Sequence, residues 1–254
     1  MKKDEWKQLL HYPQRDFVPI DELVKDTLAN IGQKILSKKT GIEFGLSTGL
    51  HDLDYILQGI HPSDFILIGG RPSMGKTSLA LTISQHMASF EGVSVVYFTV
   101  KSPANIIVKR LLSMEANINS FKLRHCNFNN QEIESLMSVA ERIKKYKLII
   151  DDTKSLSIPE LYRKCEQYKK SHGIKLVIID DLQSLYENSL HYYGQEIKPK
   201  DIPKAIKNLA RIFELPVITL SQLNRNPENR KDKRPTISDF HLSKSITNEA
   251  DVCI

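Results

Sequence analysis

The 254-residue chain has no run of about eighteen apolar residues, so no membrane-spanning helix is expected. Its first residues, Met1-Lys2-Lys3-Asp4-Glu5-Trp6, lack the apolar stretch of a signal peptide. Cysteine is scarce: Cys126, Cys165 and Cys253 lie far apart and show no metal-ligand spacing, which argues for a reducing cytosol rather than a disulfide or zinc scaffold. The eight histidines contain no H-x-x-x-H pattern, which argues against a histidine metal site. No internal repeat is present. What remains is a cytoplasmic globular chain without a membrane partner, 41% hydrophobic and 26% charged, long enough for one α/β domain with an N-terminal appendage. A net charge of +6 permits nucleic-acid binding without establishing it.

One stretch organises the rest. Gly70-Arg71-Pro72-Ser73-Met74-Gly75-Lys76-Thr77 matches G-x-x-x-x-G-K-T without a mismatch. It follows the apolar run Phe65-Ile66-Leu67-Ile68 and leads into the helical-looking Leu79-Ala80-Leu81-Thr82-Ile83. Strand, glycine-rich loop and helix are the context of a phosphate-binding loop, whose backbone N–H groups and helix dipole face the phosphates of a nucleoside triphosphate. Gly70 through Ser78 are the candidate nucleoside-triphosphate-binding residues. Lys76 would reach the β- and γ-phosphates, and the Thr77 hydroxyl would ligate Mg2+.

Along the chain, residues 1–17 read as a polar arm. Ile20, Leu23, Val24, Leu28, Ile31 and Ile35 then recur at spacings of three and four, predicting an amphipathic helix over about 20–37. Such a helix packs on its own core or docks on a neighbouring subunit. The expected division is an arm and amphipathic helix over 1–40 and a nucleotide-binding domain over 41–254. Gly41 to Gly59 reads as a loop-rich lead-in. Core strands are predicted at Phe65–Gly69, Val93–Val100, Leu148–Asp152, Leu176–Asp181 and Pro216–Gln222, with helices near 76–89, 103–115, 130–146, 157 onwards and 201–213. Glu187 to Lys200 looks mobile, and 223–254 looks loop-rich and basic, with Arg225, Arg230, Lys231, Lys233 and Arg234 close together. Strands alternating with helices predict an α/β fold with a mainly parallel sheet covered on both faces.

Asp180 closes an apolar strand, where a second Mg2+-directed carboxylate belongs. Gln222 ends another strand and is similarly placed to sense the γ-phosphate. Four blocks now stand in order: Gly70–Thr77, Ile179-Asp180-Asp181-Leu182-Gln183, Leu220-Ser221-Gln222-Leu223-Asn224-Arg225 and Lys233-Arg234-Pro235. Together they resemble the RecA-like motor domain of DnaB-type replicative DNA helicases, a P-loop NTPase fold, over about residues 17–254. The resemblance implies a hexameric ATPase that acts in DNA replication and threads single-stranded DNA. It also makes the 20–37 helix a linker that docks on the adjacent subunit.

Departures from that pattern are informative. The family places a glutamate, which polarises the attacking water, where this chain has Lys101. A cation cannot accept that proton, and loss of such a base costs about 10²–10⁴ in rate. Asp181, at a position where the family more often has tyrosine, is the candidate substitute base. The family's DNA-contacting Ser-Asp-Leu-Arg-Glu-Ser-Gly is here Ser238-Asp239-Phe240-His241-Leu242-Ser243-Lys244, with Lys244 able to supply a phosphate contact. Arg225, Lys233, Arg234, His241 and Lys244 are the candidate nucleic-acid contacts. The family also has an N-terminal domain, and further strands carrying an arginine finger, that find no counterpart in these 254 residues. Two expectations follow: a DnaB-like protein that binds Mg-ATP with impaired hydrolysis, or a degenerate relative that binds and loads or inhibits an authentic replicative helicase through the helix at 20–37.

Overall fold

The structure is a computed structural model and describes residues 19–40, 45–189, 199–240 and 243–254. The predicted arm over 1–17 and the centre of the segment expected to be mobile therefore lie outside the described residues.

Among the described residues six strands form one parallel sheet: β1 (Phe65–Gly70), β2 (Val95–Thr99), β3 (Leu148–Asp151), β4 (Leu176–Asp180), β5 (Val217–Gln222) and β6 (Val252–Cys253). Their spatial order is β3-β2-β4-β5-β1-β6. The five predicted strands are all present; β6, two residues long, was too short for a pattern to announce. Strands of an all-parallel sheet are covered on both faces, which is why β1, β2 and β4 read as nearly unbroken apolar runs, while β5 buries Thr219 and Ser221 on one face. Alternation assigns the faces. Ile66, Ile68, Val95, Tyr97, Leu176, Ile178, Ile218 and Leu220 pack on one side, and Phe65, Leu67, Val96, Phe98, Val177 and Ile179 on the other.

The first face is covered by α3 (Lys76–Ser89), through Leu81, Ile83 and Met87, and by α4 (Ala104–Glu115), through Ile107 and Leu111. The second is covered by α7 (Ile158–His172), α8 (Leu182–Ser189) and α9 (Ile202–Ile212). The remaining helices are α1 (Ile20–Thr40), α2 (His51–Leu57), α5 (Ser120–His125), α6 (Asn130–Ile143) and α10 (Ser243–Glu249).

Several boundaries differ from expectation. The lead-in contains α2, anchored by Asp54, whose carboxylate takes the Thr48 N–H and hydroxyl at 2.7 Å and the Ser47 hydroxyl at 2.8 Å. A polar connection became α5, begun by the Asn119 side chain accepting from Phe121 N. The first residues of the segment expected to be mobile are helical, because α8 runs through Ser189 on the buried anchors Leu182, Leu185 and Tyr186. The 20–37 helix exists and continues to Thr40, with its apolar stripe exposed.

Candidate active site

Register brings the predicted motifs to one edge of the sheet. Gly70 at the end of β1 pairs with Gln222 at the end of β5, and Thr99 on β2 pairs with Asp180 on β4. In open α/β sheets the carboxyl ends of the strands are where ligands sit. At this edge the loop 71–75 turns into α3. Gly75 precedes the helix with φ of 90°, a left-handed conformation that a side chain would strain. The first turn of α3 leaves its N–H groups without intrahelical acceptors, and its dipole favours an anion.

Lys76 arches back over the loop, its Nζ donating to the Gly70 carbonyl at 2.7 Å and the Arg71 carbonyl at 3.1 Å. Burial holds its pKa below that of an ordinary lysine, against the pull of the Asp181 and Asp180 carboxylates. Next to it, Thr77 Oγ1 donates to Asp180 Oδ2 at 2.9 Å, which joins the two predicted Mg2+ residues across 103 positions of sequence. The same carboxylate oxygen accepts the Tyr97 hydroxyl at 2.8 Å. Burial raises the Asp180 pKa, opposed by hydrogen bonds from Tyr97 and Thr77 and reinforced by the neighbouring Asp181.

Asp181 has a different environment. Its Oδ1 accepts the Ser184 N–H at 3.0 Å and the Ser184 hydroxyl at 2.7 Å, capping α8. Its Oδ2 accepts from Lys101 Nζ at 2.8 Å. The candidate substitute base thus has both oxygens engaged, and Lys101 stands beside it at the mouth of the site, its side chain 55% exposed.

Gln222 arrives at the predicted edge, and the side chain that braces it is Gln183. Gln183 Oε1 accepts the Gln222 N–H at 3.2 Å, while Nε2 donates to Ser221 Oγ at 3.2 Å and to the Gln222 carbonyl at 3.3 Å.

Two nucleotide-binding assignments need refinement. The Arg71 guanidinium turns away from the loop interior, donating to Glu228 Oε1 at 2.8 Å and the Leu223 carbonyl at 2.9 Å. Met74 is 75% exposed at the loop tip, so it has backbone rather than side chain to offer a phosphate.

The basic segment is fastened to this loop. Arg71 grips Glu228, and Phe240 packs so closely on Gly69 that a Cβ there would lie 2.5 Å from the ring. Arg230 is consumed internally, donating to Asp239 Oδ2 at 2.6 Å and the Arg234 carbonyl at 3.0 Å. Arg225, Lys233 and Arg234 are exposed beside it. Of the other two candidate nucleic-acid contacts, His241 and the Lys244 side chain lie outside what the structure describes. Tyr97 and Glu228 carry no signal in a motif scan, because each acts on a residue far away in sequence; Gln183 lies in a motif block, but its hold on Gln222 does not show there.

The donor set suits a magnesium nucleotide. A lysine ammonium and the first turn of a helix meet phosphate oxygens, and a hydroxyl paired with a carboxylate offers hard oxygen donors to a hard cation.

The model for the DnaB-like helicase C terminal domain matches residues 45–254. The replicative DNA helicase DnaC of Bacillus subtilis (strain 168) is 33% identical over 248 residues, which is 97% of this chain and 55% of that protein. A solved ATPase domain superposes with a TM-score of 0.82 at 30% identity, covering 94% of this chain and 83% of that one. A DnaB-like replicative helicase, described with its interactions with primase, gives a TM-score of 0.80 at 30% identity over 95% of this chain and 57% of that one. The chain spans about half the length of the curated relative.

Proposed function

The chain belongs to the family of DnaB-like helicase C-terminal domains, with a RecA-like fold, and on that premise we propose that it binds Mg-ATP and single-stranded DNA in DNA replication, with hydrolysis held back by Lys101. The observation that carries the binding half is the Lys76–Thr77–Asp180 arrangement, assembled from two distant segments with hydrogen bonds already in place. Lys76 would exchange its loop carbonyls for the β- and γ-phosphate oxygens. Thr77 and Asp180 would hold the cation, which when bound neutralises charge developing on the transferred phosphoryl group. Gln222, on the strand beside Gly70, is placed to sense the γ-phosphate. Arg225, Lys233 and Arg234 would contact the backbone of a single strand, in a cytoplasmic setting.

The impairment rests on the Lys101–Asp181 pair. A general base must accept a proton from the attacking water. Lys101 has none of that capacity, and it occupies the Asp181 oxygen that α8 leaves available. The pair supports tight nucleotide binding with slow turnover.

Retention of a non-hydrolysable ATP analogue in the presence of Mg2+ tests the binding half. The unmodified protein should bind it, and Lys76→Ala should weaken it by roughly a hundredfold through loss of charge-assisted contacts. Equal retention by both would overturn the assignment of the site.

A second reading, a relative that docks on an authentic replicative helicase or on another copy of itself, is favoured by α1. Ile20, Leu23, Val24, Leu28, Ile31 and Ile35 are all exposed on that helix, Ile20 by 75% and Leu28 by 62%. A continuous exposed apolar stripe is an association surface. Leu28→Asp should abolish self-association, or capture of a replicative helicase, in sedimentation. An unchanged profile would remove this role from the helix.

A further inference from the structure

Asp180 is held by a second donor that belongs to no phosphate-loop motif. Tyr97 lies in the middle of β2, with no solvent exposure, on the strand directly beside β4. Strand alternation turns Tyr97 and Asp180 toward the same face, the one covered by α3, where Thr77 opens the helix. The surroundings of Tyr97 on that face are apolar and include Ile83, Ile107 and Ile178. An aliphatic side chain or phenylalanine would satisfy such a place, whereas a buried tyrosine brings a hydroxyl that must find a partner. That partner is Asp180 Oδ2, at 2.8 Å, the oxygen that also receives Thr77 at 2.9 Å.

We propose that Tyr97 is a positioning residue for the magnesium site. With Thr77 it pins Oδ2 of Asp180 from two sides, so the carboxylate has one rotational setting. Oδ1 accepts no hydrogen bond among the described residues and is the oxygen left to face a cation or its water shell. The Tyr97 hydroxyl keeps its hold whether or not Thr77 is also engaged with the cation, so the carboxylate is oriented before the ion arrives. Partners of this kind around metal-directed carboxylates tune metal affinity by about ten- to a hundredfold.

The inference rests on the proposal that Thr77 and Asp180 hold Mg2+, and one experiment separates the two. Binding of a non-hydrolysable ATP analogue is titrated against Mg2+, and against Mn2+ followed by loss of the free-ion electron paramagnetic resonance signal. The unmodified protein is run beside Tyr97→Phe and Tyr162→Phe. Tyr162 donates its hydroxyl to the Ala205 carbonyl on the opposite side of the sheet, so its variant controls for loss of a buried tyrosine hydroxyl. The expected result is that Tyr97→Phe raises the half-saturating Mg2+ and Mn2+ concentration about tenfold, leaves analogue binding in excess chelator unchanged, and differs from Tyr162→Phe in the first respect alone. Cation dependence equal to that of the unmodified protein would overturn the role of Tyr97 while leaving the site assignment intact. Weakened binding even in chelator would also overturn it, by showing a general structural role. Absence of any cation dependence in the unmodified protein would overturn the site assignment and the inference with it.

Discussion

Asp180 and Asp181 are consecutive, identical in chemistry, and sit in two different corners of one site. The first belongs to a corner assembled for a ligand: it is half-buried, it accepts from Thr77 and Tyr97 through one oxygen, and desolvation raises its pKa. The second belongs to a corner whose charges already satisfy each other: one oxygen caps α8 through Ser184 and the other pairs with Lys101. Asp180 closes β4, whereas Asp181 lies past the strand end and leads into α8, and that boundary separates the two environments. The lesson is that the binding corner stores unmet electrostatic demand, whereas the corner where a base is needed has had its demand met by a lysine.

Substitutions separate the two corners. The largest effect is expected from Asp180→Asn, which keeps an acceptor for Tyr97 and Thr77 but removes the charge. Its Mg2+ requirement for nucleotide binding should rise by about tenfold or more. Its resistance to urea should increase, because desolvation and the neighbouring Asp181 penalise the charged form of this group. A variant that binds Mg2+ normally, or one less stable than the parent, would show that the corner is not strained toward its ligand.

Next comes Gly69→Ala, in the strand that feeds the phosphate loop. The added methyl meets the Phe240 ring at 2.5 Å, and overpacking of this kind costs about 1–3 kcal/mol in denaturant unfolding. Because Phe240 ends the segment carrying Arg225, Lys233 and Arg234, single-stranded DNA binding should weaken along with stability. Stability that falls without any change in DNA binding would uncouple that segment from the loop.

A smaller loss, about 1 kcal/mol, should follow Asp181→Ala through removal of the α8 cap, with nucleotide affinity held within a few-fold. Smallest is Lys101→Met. An ion pair with its lysine half exposed contributes about 0.2–1 kcal/mol at most, so unfolding should scarcely move. A drop of several kcal/mol would mean that Lys101 is a structural residue rather than a plug in the catalytic corner.

Much of this was legible in the sequence, for a physical reason. β1, β2 and β4 are apolar on both faces, so each announces itself as a continuous run, and these strands and β5 end at or beside the residue that matters: Gly70, Thr99 before Lys101, Asp180, Gln222. The phosphate loop is local and its residue types are dictated by backbone geometry. What escaped was short or distant. The helices at His51–Leu57 and Ser120–His125 have seven and six residues, too few for a 3.6-residue period to stand out. Tyr97 finds Asp180 across 83 positions and Lys101 finds Asp181 across 80, and nothing local in either segment marks the pairing. Arg230 looked like one more cation in a basic run, yet it is spent on Asp239.

The central claim, that Lys101 stands between a competent nucleotide site and hydrolysis, is tested most directly by steady-state ATP turnover with and without single-stranded DNA, for the unmodified protein and Lys101→Glu. The account predicts negligible turnover in the first despite Mg-ATP binding, and a rise of about a hundredfold in the second. Brisk, DNA-stimulated hydrolysis by the unmodified protein would contradict it, and would require that Asp181 sheds Lys101 to act as the base.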